Sequence, residues 1–580
     1  MEQKKKTKAI LFSIVGILAV AVIVLLVCRS IHNSVVESEY FDYDDNLGQT
    51  ENSLVIDATP EEIYDYVSYD YDGVDLSSSY EGEIYLSDDN PMEITTGGTY
   101  VLSGTLDGQV IVDTEESVKI VLNGVDLSCS DGSPIVVENA KEVILILADG
   151  TTNYITDTSE YQDPDTNEDA TPAAIFSRDD LYISGSGTLI ISSENKCGIQ
   201  SKDQLVILGG DITIDAAKEA IKAKDYFVME DGNLDLTAGE DGLAVTEDDD
   251  VEKGYMVISG GTIKINAQQD GLTAKTYIVI NDADLDITTN TADTSKSAKG
   301  IKAGYYLEIN SGTIDINSKD DGLHSNSQIV INGGDITISS GDDGIHADEV
   351  VEINNGNIDI TKSYEGIEGK NIYIDGGEIS IVSSDDGINV ADSSYGETMQ
   401  AINGAALYIS GGKLYVNANG DGLDSNGNMY ITGGEITVDG PTNNGNGGLD
   451  CNGELVVDGG FLVVASSSGM AEAPDQTSEQ NSVIVGFEST MSAGTLISIK
   501  SSNGDELVSY APVKTFQAFV FSSDDLETGV SYEVFVNGES YEEFTISSAT
   551  TTVGTVGGMG MDGPGGMQPP TGGMARPGRW

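Results

Sequence analysis

The sequence predicts an all-β chain: a right-handed parallel β-helix with a modal turn of 22 residues, a small C-terminal antiparallel β unit and an N-terminal transmembrane helix. Three observations predict it. A unit made of an acidic residue, Gly and then Ile or Leu recurs at Gly198, Ala220, Gly242, Gly271, Gly300, Gly322, Gly344, Gly366, Gly387, Gly422 and Gly448. The spacings are 22, 22, 29, 29, 22, 22, 22, 21, 35 and 26, and the longer ones contain insertions such as TEDDDVEKG. Between anchors the apolar residues alternate with period two, which is the signature of strand and not of helix. Each copy also carries a Gly-Gly-like turn followed by x-Ile-x-Ile, as in DDGLHSNSQIVINGGDITISSG from Asp320. Propeller blades need about 40 residues or more, so a coil with two or three short strands per turn is the solution that fits.

Taken in order, residues 1–8 (MEQKKKTK) form a basic segment expected on the cytoplasmic side. Residues 9–28, Ala9 to Cys28, are an uninterrupted apolar run. About 20 residues suffice to cross a bilayer, and the preceding lysines hold the N-terminus inside. Arg29, Ser30, Ile31 and His32 offer no small-x-small cleavage site, and Val27 is large where lipoprotein processing at Cys28 needs a small residue. A signal anchor is therefore favoured over a cleaved signal or a lipoprotein. Residues 29–90 are acidic and Tyr-rich, lack periodicity, and read as a stalk. Residues 91–470 are assigned to the β-helix, with looser early turns such as VLSGTLDGQVIVD and LYISGSGTLIIS. Residues 481–548 change to hairpin-like strands (SVIVGF, TFQAFVF, SYEVFVNG), expected to cap the open end of the coil. Residues 549–580, rich in Gly, Met and Pro, read as a disordered tail.

The formal net charge of −70 excludes nucleic acid as a partner, because phosphate binding needs basic patches. A regular Ile/Val/Leu pattern excludes general disorder, so the acid must sit on the outside of an ordered scaffold. Such a surface attracts cations, and calcium suits carboxylate oxygens. Beyond Cys28, the cysteines Cys129, Cys197 and Cys451 suggest no disulfide framework and read as free thiols.

Stacked turns convert repeat positions into columns. The position before each anchor holds Glu219, Asp241, Asp270, Lys299, Asp321, Asp343, Glu365, Asp386 and Asp421. Carboxylates about 5 Å apart repel by roughly 3 kcal/mol at an effective dielectric near 20, so something must compensate. An Asp-Gly turn in which the carboxylate accepts backbone N–H bonds accounts for single acids. The doubled acids Asp320/Asp321, Asp342/Asp343 and Asp385/Asp386 offer hard oxygens to calcium. Two positions further on, a column expected to face outward includes Lys302, His324, His346, Glu368, Asn389, Asp424 and Asp450. It reads as a solvated polar ladder or as a sugar- or metal-binding strip; a pure His-zinc site lacks a third ligand of that type. A third column places Tyr373, Tyr408 and Tyr430 on successive turns as an outward stripe on which sugar rings would stack.

These motifs resemble the calcium-binding, pectate-lyase-like parallel β-helix family of bacterial carbohydrate-binding proteins. The segments that carry the likeness are GGTYVLSGTLDGQVIVD, KIVLNGVDLSCSDGSPIVV, TTNYITD, AAIFSRDDLYISGSGTLIISS, the DDG-[IL] turns and SAGTLISIKSSNGDELVSY, over roughly 90–545. The resemblance implies extracellular polysaccharide binding with bound calcium. The related lyases cluster Asp residues in a D-G-x-D pattern, and Asp421-Gly422-Leu423-Asp424 matches it, with Asp385 and Asp386 a turn before and Asp450 a turn after. Their Lys base is the departure, since no Lys or Arg occurs between Lys413 and Lys500.

The expectation is a non-catalytic, calcium-dependent polysaccharide-binding protein for pectin- or cellulose-like glycans. It would be a monomer, anchored by its N-terminal helix with its bulk outside the cell. The metal ligands would be Asp320, Asp321, Asp342, Asp343, Asp385, Asp386, Asp421, Asp424 and Asp450. The sugar contacts would be Tyr373, Tyr408, Tyr430, His324, His346, Lys302 and Glu368. The rival classes are a calcium-dependent lyase and a surface adhesin or structural rod.

Overall fold

A computed structural model describes residues 83–87, 92–160, 170–392, 394–395 and 400–557. The expected membrane span, most of the stalk and the Gly/Met/Pro tail lie outside the described residues. Within them the structure is all strand, without helix. Forty-five strands join into one hydrogen-bonded sheet, parallel from turn to turn as far as Phe461–Ser466. This is a parallel β-solenoid, and its register reproduces the repeat. Ile301, Leu323, Ile345, Ile367, Ile388, Leu423 and Leu449 pair in sequence, one per turn. A second ladder runs Ile314, Ile336, Ile358, Ile379, Leu414, Ile436 and Leu462.

The alternation fixes which face each residue takes. Along Asp211–Ala216 every second residue is buried, and the same pattern recurs in Asn233–Ala238 and Thr262–Ala267. The inward Ile, Leu and Val side chains merge into one core running the length of the coil. Each is worth about 1.5–3 kcal/mol of burial.

Two kinds of glycine shape each turn. In the Gly-Gly turns the second glycine takes a left-handed φ, +102° at Gly334 and +87° at Gly377, which a side chain would resist. The anchor glycines are needed for room instead. A Cβ at Gly322 would lie 2.5 Å from Ile338 Cγ2 and 2.6 Å from the Gly344 carbonyl oxygen.

Two boundaries differ from the sequence expectation. Glu83–Leu86, inside the expected stalk, pairs in parallel with Gly98–Asp107. Thr550–Gly554, inside the expected tail, pairs with Ser482–Met491. Both strands are too short, and too rich in polar or Tyr side chains, to show periodicity on their own.

At the C-terminal end the pairing switches. Phe516–Ser522 runs antiparallel to both Phe461–Ser466 and Ser482–Met491, so the last turn of the coil is paired and not left as an open edge. Four strands, Glu506–Tyr510, Ile497–Ser501, Ser531–Val536 and Glu539–Thr545, form a separate antiparallel sheet. Phe487, Phe516, Phe519, Phe521, Tyr532 and Val534 give this end its own core.

Candidate functional site

The acidic column forms the corner where each Gly-Ile/Leu strand begins. The anchor amides from Gly198 to Gly422 bond to the next turn: Gly300 N–H donates to Asp321 O, Gly322 to Asp343 O and Gly344 to Glu365 O, all at 2.9 Å. The carboxylates add a second tie. Asp321 Oδ1 accepts from Asp343 N–H at 3.1 Å, and Asp343 Oδ1 from Glu365 N–H at 3.3 Å. Asp386 Oδ1 accepts from Asp421 N–H at 2.6 Å, and Asp421 Oδ1 from Gly447 N–H. One oxygen of each aspartate therefore stitches adjacent turns, and the second is left for other work.

What meets that second oxygen divides the wall. In most of the earlier turns it is a cation or an imidazole; the exception is Asp241, which burial and then Asp270 push up to about 7 and which makes no such pair among the described residues. Lys222 Nζ lies 2.5 Å from Glu219, Lys302 Nζ 3.7 Å from Asp270, and Lys299 Nζ 2.5 Å from Asp321 and 3.0 Å from Asp320. His324 Nδ1 bonds Asp321 Oδ2 at 2.9 Å, and His346 Nδ1 bonds Asp343 Oδ2 at 3.0 Å. These contacts hold the Asp321 carboxyl far below its ordinary range even though its burial acts the other way. Burial works against a charged His346 ring, but hydrogen bonds to Asp343, Asp348 and Glu368 outweigh it and raise its pKa to about 12. Asp320, Asp321 and Asp342 come together at this corner as well.

In the later turns, among the described residues, no lysine, arginine or histidine pairs with Asp385, Asp386, Asp421, Asp424 or Asp450. Ligand oxygens of Asp386, Asp421 and Asp424 nevertheless lie within 4.8 Å of one another. Asp450 is in register with Asp424 on the next turn, and Asp385 stands with Asp386 over Gly420, where any Cβ would collide with both carboxylates. Burial, then the Asp386, Asp421 and Asp450 charges, push Asp424 up to about 9. Asp386 and Asp421 rise to about 7 for the same two reasons, burial first.

Two further oxygens join this cluster. Glu472 is raised to about 7 by burial and by Asp450, and its Oε2 accepts from Cys451 N–H at 3.2 Å. Asn389, in register with Asp424, donates from Nδ2 to Glu365 at 2.8 Å, while its buried Oδ1 has no hydrogen-bond partner among the described residues. An orphaned carbonyl-type oxygen beside three crowded carboxylates is a donor set for a hard cation, and these residues fit calcium. Sequence reasoning missed Glu472 because it follows the last repeat, and Asn389 because, in a column read as a polar ladder or a sugar- or metal-binding strip, only the carboxylates Asp424 and Asp450 were singled out as metal ligands.

Two expectations are corrected. The column of Lys302, His324, His346, Glu368 and Asn389 is only in part a solvated strip: Lys302 and His324 are half-buried, but His346 and Glu368 are each 7% exposed and Asn389 is buried as well. Its side chains point away from the core, but neighbouring turns and the carboxylate corner enclose them. The tyrosine stripe is real, with Tyr373, Tyr408 and Tyr430 in register. Its rings face one another, however, at 4.9 Å and 2° between Tyr373 and Tyr408 and at 5.3 Å and 20° between Tyr408 and Tyr430. The stripe thus turns edges and hydroxyls outward in place of open ring faces. It occupies the strand that follows the acidic corner in the same turns. Cys129, Cys197 and Cys451 are free thiols.

A sequence model of the family described as "carbohydrate-binding domain-containing protein" matches residues 88–344 and 342–505. A protein of that description from Acetivibrio thermocellus is 36% identical over 157 residues, 27% of this chain and 52% of the relative, so the chain spans about half of that relative's length. A solved structure described as the polysaccharide lyase-like protein from C. thermocellum, gadolinium derivative, is also 36% identical. It covers 36% of this chain and 84% of that one, with a TM-score of 0.34. With the match extending from the first turns of the coil into its C-terminal unit, the chain belongs to the carbohydrate-binding domain-containing protein family.

Proposed function

We propose that this protein binds acidic polysaccharide at the cell surface, without cleaving it, through calcium held by Asp386, Asp421 and Asp424. Asn389, Asp450 and Glu472 complete the oxygen set. The observation that carries the reading is the convergence of three aspartates with second oxygens that no cation of the described chain meets. Bound calcium supplies charge neutralisation and coordination positions for a uronate carboxylate. The chain's own residues hold the site still, because Asp386 and Asp421 are fixed by amides of the following turns. The tyrosine edges on the adjoining strand offer hydroxyls and apolar rims to the neighbouring sugar units.

One observation favours a lyase as the second reading. Lys514 reaches from the C-terminal unit to donate to Ala418 O, at the end of the strand that leads into Asp421, and burial lowers its pKa to about 8. An amine of that pKa is a competent general base near neutral pH.

The test measures retention of the full chain on polygalacturonate and on cellulose with calcium and with chelator, while recording ultraviolet absorbance of any unsaturated product. Calcium-dependent retention on polygalacturonate, at least about tenfold weaker in Asp424→Asn and without product, is expected. Equal retention in chelator removes calcium from the reading. Absence of retention on either glycan removes polysaccharide binding. Product that disappears in Lys514→Met makes the protein a lyase.

A further inference from the structure

The histidine pair is absorbed by neither the coil nor the glycan reading, and its surroundings are unlike those of the all-oxygen cluster. His324 and His346 stand in register on consecutive turns, with ring centroids 5.1 Å apart. Donor atoms of Asp321, His324 and His346 lie within 4.8 Å of one another, and so do those of Asp343, His346 and Glu368. The two sets share His346. Carboxylates supply the ligands that a two-histidine reading of the sequence lacked.

Around His346 the geometry is crowded for a hydrogen-bonded ring alone. Its Nδ1 lies 3.0 Å from Asp343 Oδ2 and 3.5 Å from Glu368 Oε2. A single N–H shared between two acceptors makes a three-centre bond, weaker to each than an undivided one. A tetrahedral ion with bonds of about 2.0 Å to nitrogen and oxygen sets its ligands about 3.3 Å apart, and the two separations from His346 Nδ1, 3.0 and 3.5 Å, bracket that value. Asp321 contributes less, because its Oδ2 already receives both Lys299 and His324.

We propose that His346, Asp343 and Glu368, with His324 on the preceding turn, form a second metal site, selective for a divalent transition ion of the zinc class. Imidazole nitrogen selects zinc, cobalt, nickel or copper over calcium, which takes oxygen ligands. The ion replaces the proton that His346 Nδ1 otherwise shares with Asp343, and that proton passes to solvent. The site joins three successive turns of the coil and does not depend on the glycan reading.

The test titrates zinc, and cobalt as its coloured substitute, into the metal-free full chain with calcium in excess. One equivalent is expected to bind, with cobalt developing the visible absorption of a four-coordinate nitrogen–oxygen site. His346→Gln and the shape-conserving Glu368→Gln should each weaken binding by about a hundredfold, whereas Asp424→Asn should leave it unchanged. Circular dichroism of Glu368→Gln confirms the fold should His346→Gln fail to refold. Lack of stoichiometric binding, or binding that survives in Glu368→Gln and in a His324→Gln/His346→Gln variant, overturns the proposal; the latter result would point to His32.

Discussion

At Gly322 there is no space for a methyl group: the next turn's carbonyl and the Ile338 Cγ2 both stand where a Cβ would go. The same pair of obstacles recurs at Gly242, Gly271 and Gly300. Ala220 is the exception that explains the rule, because the residue in the Ile position of its turn is Leu236, which has no Cγ2. Gly322→Ala should therefore destabilise the coil by about 1–3 kcal/mol, the usual cost of overpacking. Adding Ile338→Leu should restore part of it, as read by chemical denaturation; no recovery would show that the carbonyl contact alone sets the cost. A second residue-scale prediction concerns Asp203. A hydrogen bond with Asp225 on the next turn, then burial, raise its pKa from 3.8 to about 7. Asp180 adds repulsion, and Lys253, 2.6 Å from Asp225, opposes it. A carboxyl with a folded pKa above its unfolded one contributes stability that is full below about pH 4 and lost as pH rises through about 7. Asp203→Asn keeps a donor to Asp225 without needing a proton. It should flatten the fall in stability between about pH 4 and pH 7; an unchanged slope would assign that fall to other groups. The DDG anchors were legible because glycine and aspartate recur at a fixed interval. Asn389 and Glu472 were not, because their role lies in which neighbours remain unpaired, and spacing does not carry that.

Among the strands, the tyrosine stripe shows how far a period can be read. Register followed from the repeat, since a strand paired once per turn must place Tyr373, Tyr408 and Tyr430 in one column. Ring orientation did not follow, because it depends on packing between neighbours, and stacking on another tyrosine competes with stacking on a sugar. Tyr408 stacks on both neighbours, so Tyr408→Ala should cost about 1–3 kcal/mol from two aromatic pairs, each worth about 0.5–1.5 kcal/mol. A double-mutant cycle with Tyr373 measures one of those pairs directly, and a coupling near zero would mean that the rings are merely adjacent. The acidic corner was legible as a wall but not as two different walls. Lys222, Lys299, Lys302 and the two histidines offset most of its earlier part, whereas no lysine, arginine or histidine among the described residues pairs with the aspartates of its later part. That division comes from the residue three positions beyond the acid and from Lys299, which stands in the acid's own place, and it is visible only when donor atoms are placed in space.

For the coil as a whole, the C-terminal unit determines whether the last turn has an edge. Phe516–Ser522 uses both of its sides, one on Phe461–Ser466 and the other on Ser482–Met491. Two tyrosines reinforce the junction: Tyr415 from the coil and Tyr510 from the cap both donate to Asp439 Oδ2, at 3.0 and 2.8 Å. Asp439 is 1% exposed, so removing a donor leaves a buried carboxylate short of partners. Tyr510→Phe should cost about 1.5–3 kcal/mol, as for other hydrogen bonds to charged groups. Removing the whole unit should do something different in kind. A chain ending at residue 480 would expose the unpaired N–H and C=O groups of Phe461–Ser466, together with Val463 and Ala465, which now pack in the cap's core. An exposed apolar edge recruits strands from other chains. The truncated chain should therefore form high-mass species in light scattering, while its coil keeps a β-sheet circular dichroism spectrum. A soluble, monodisperse truncation would show that Leu462 and Val464, which stay in the coil's own core, are enough to keep the last turn closed.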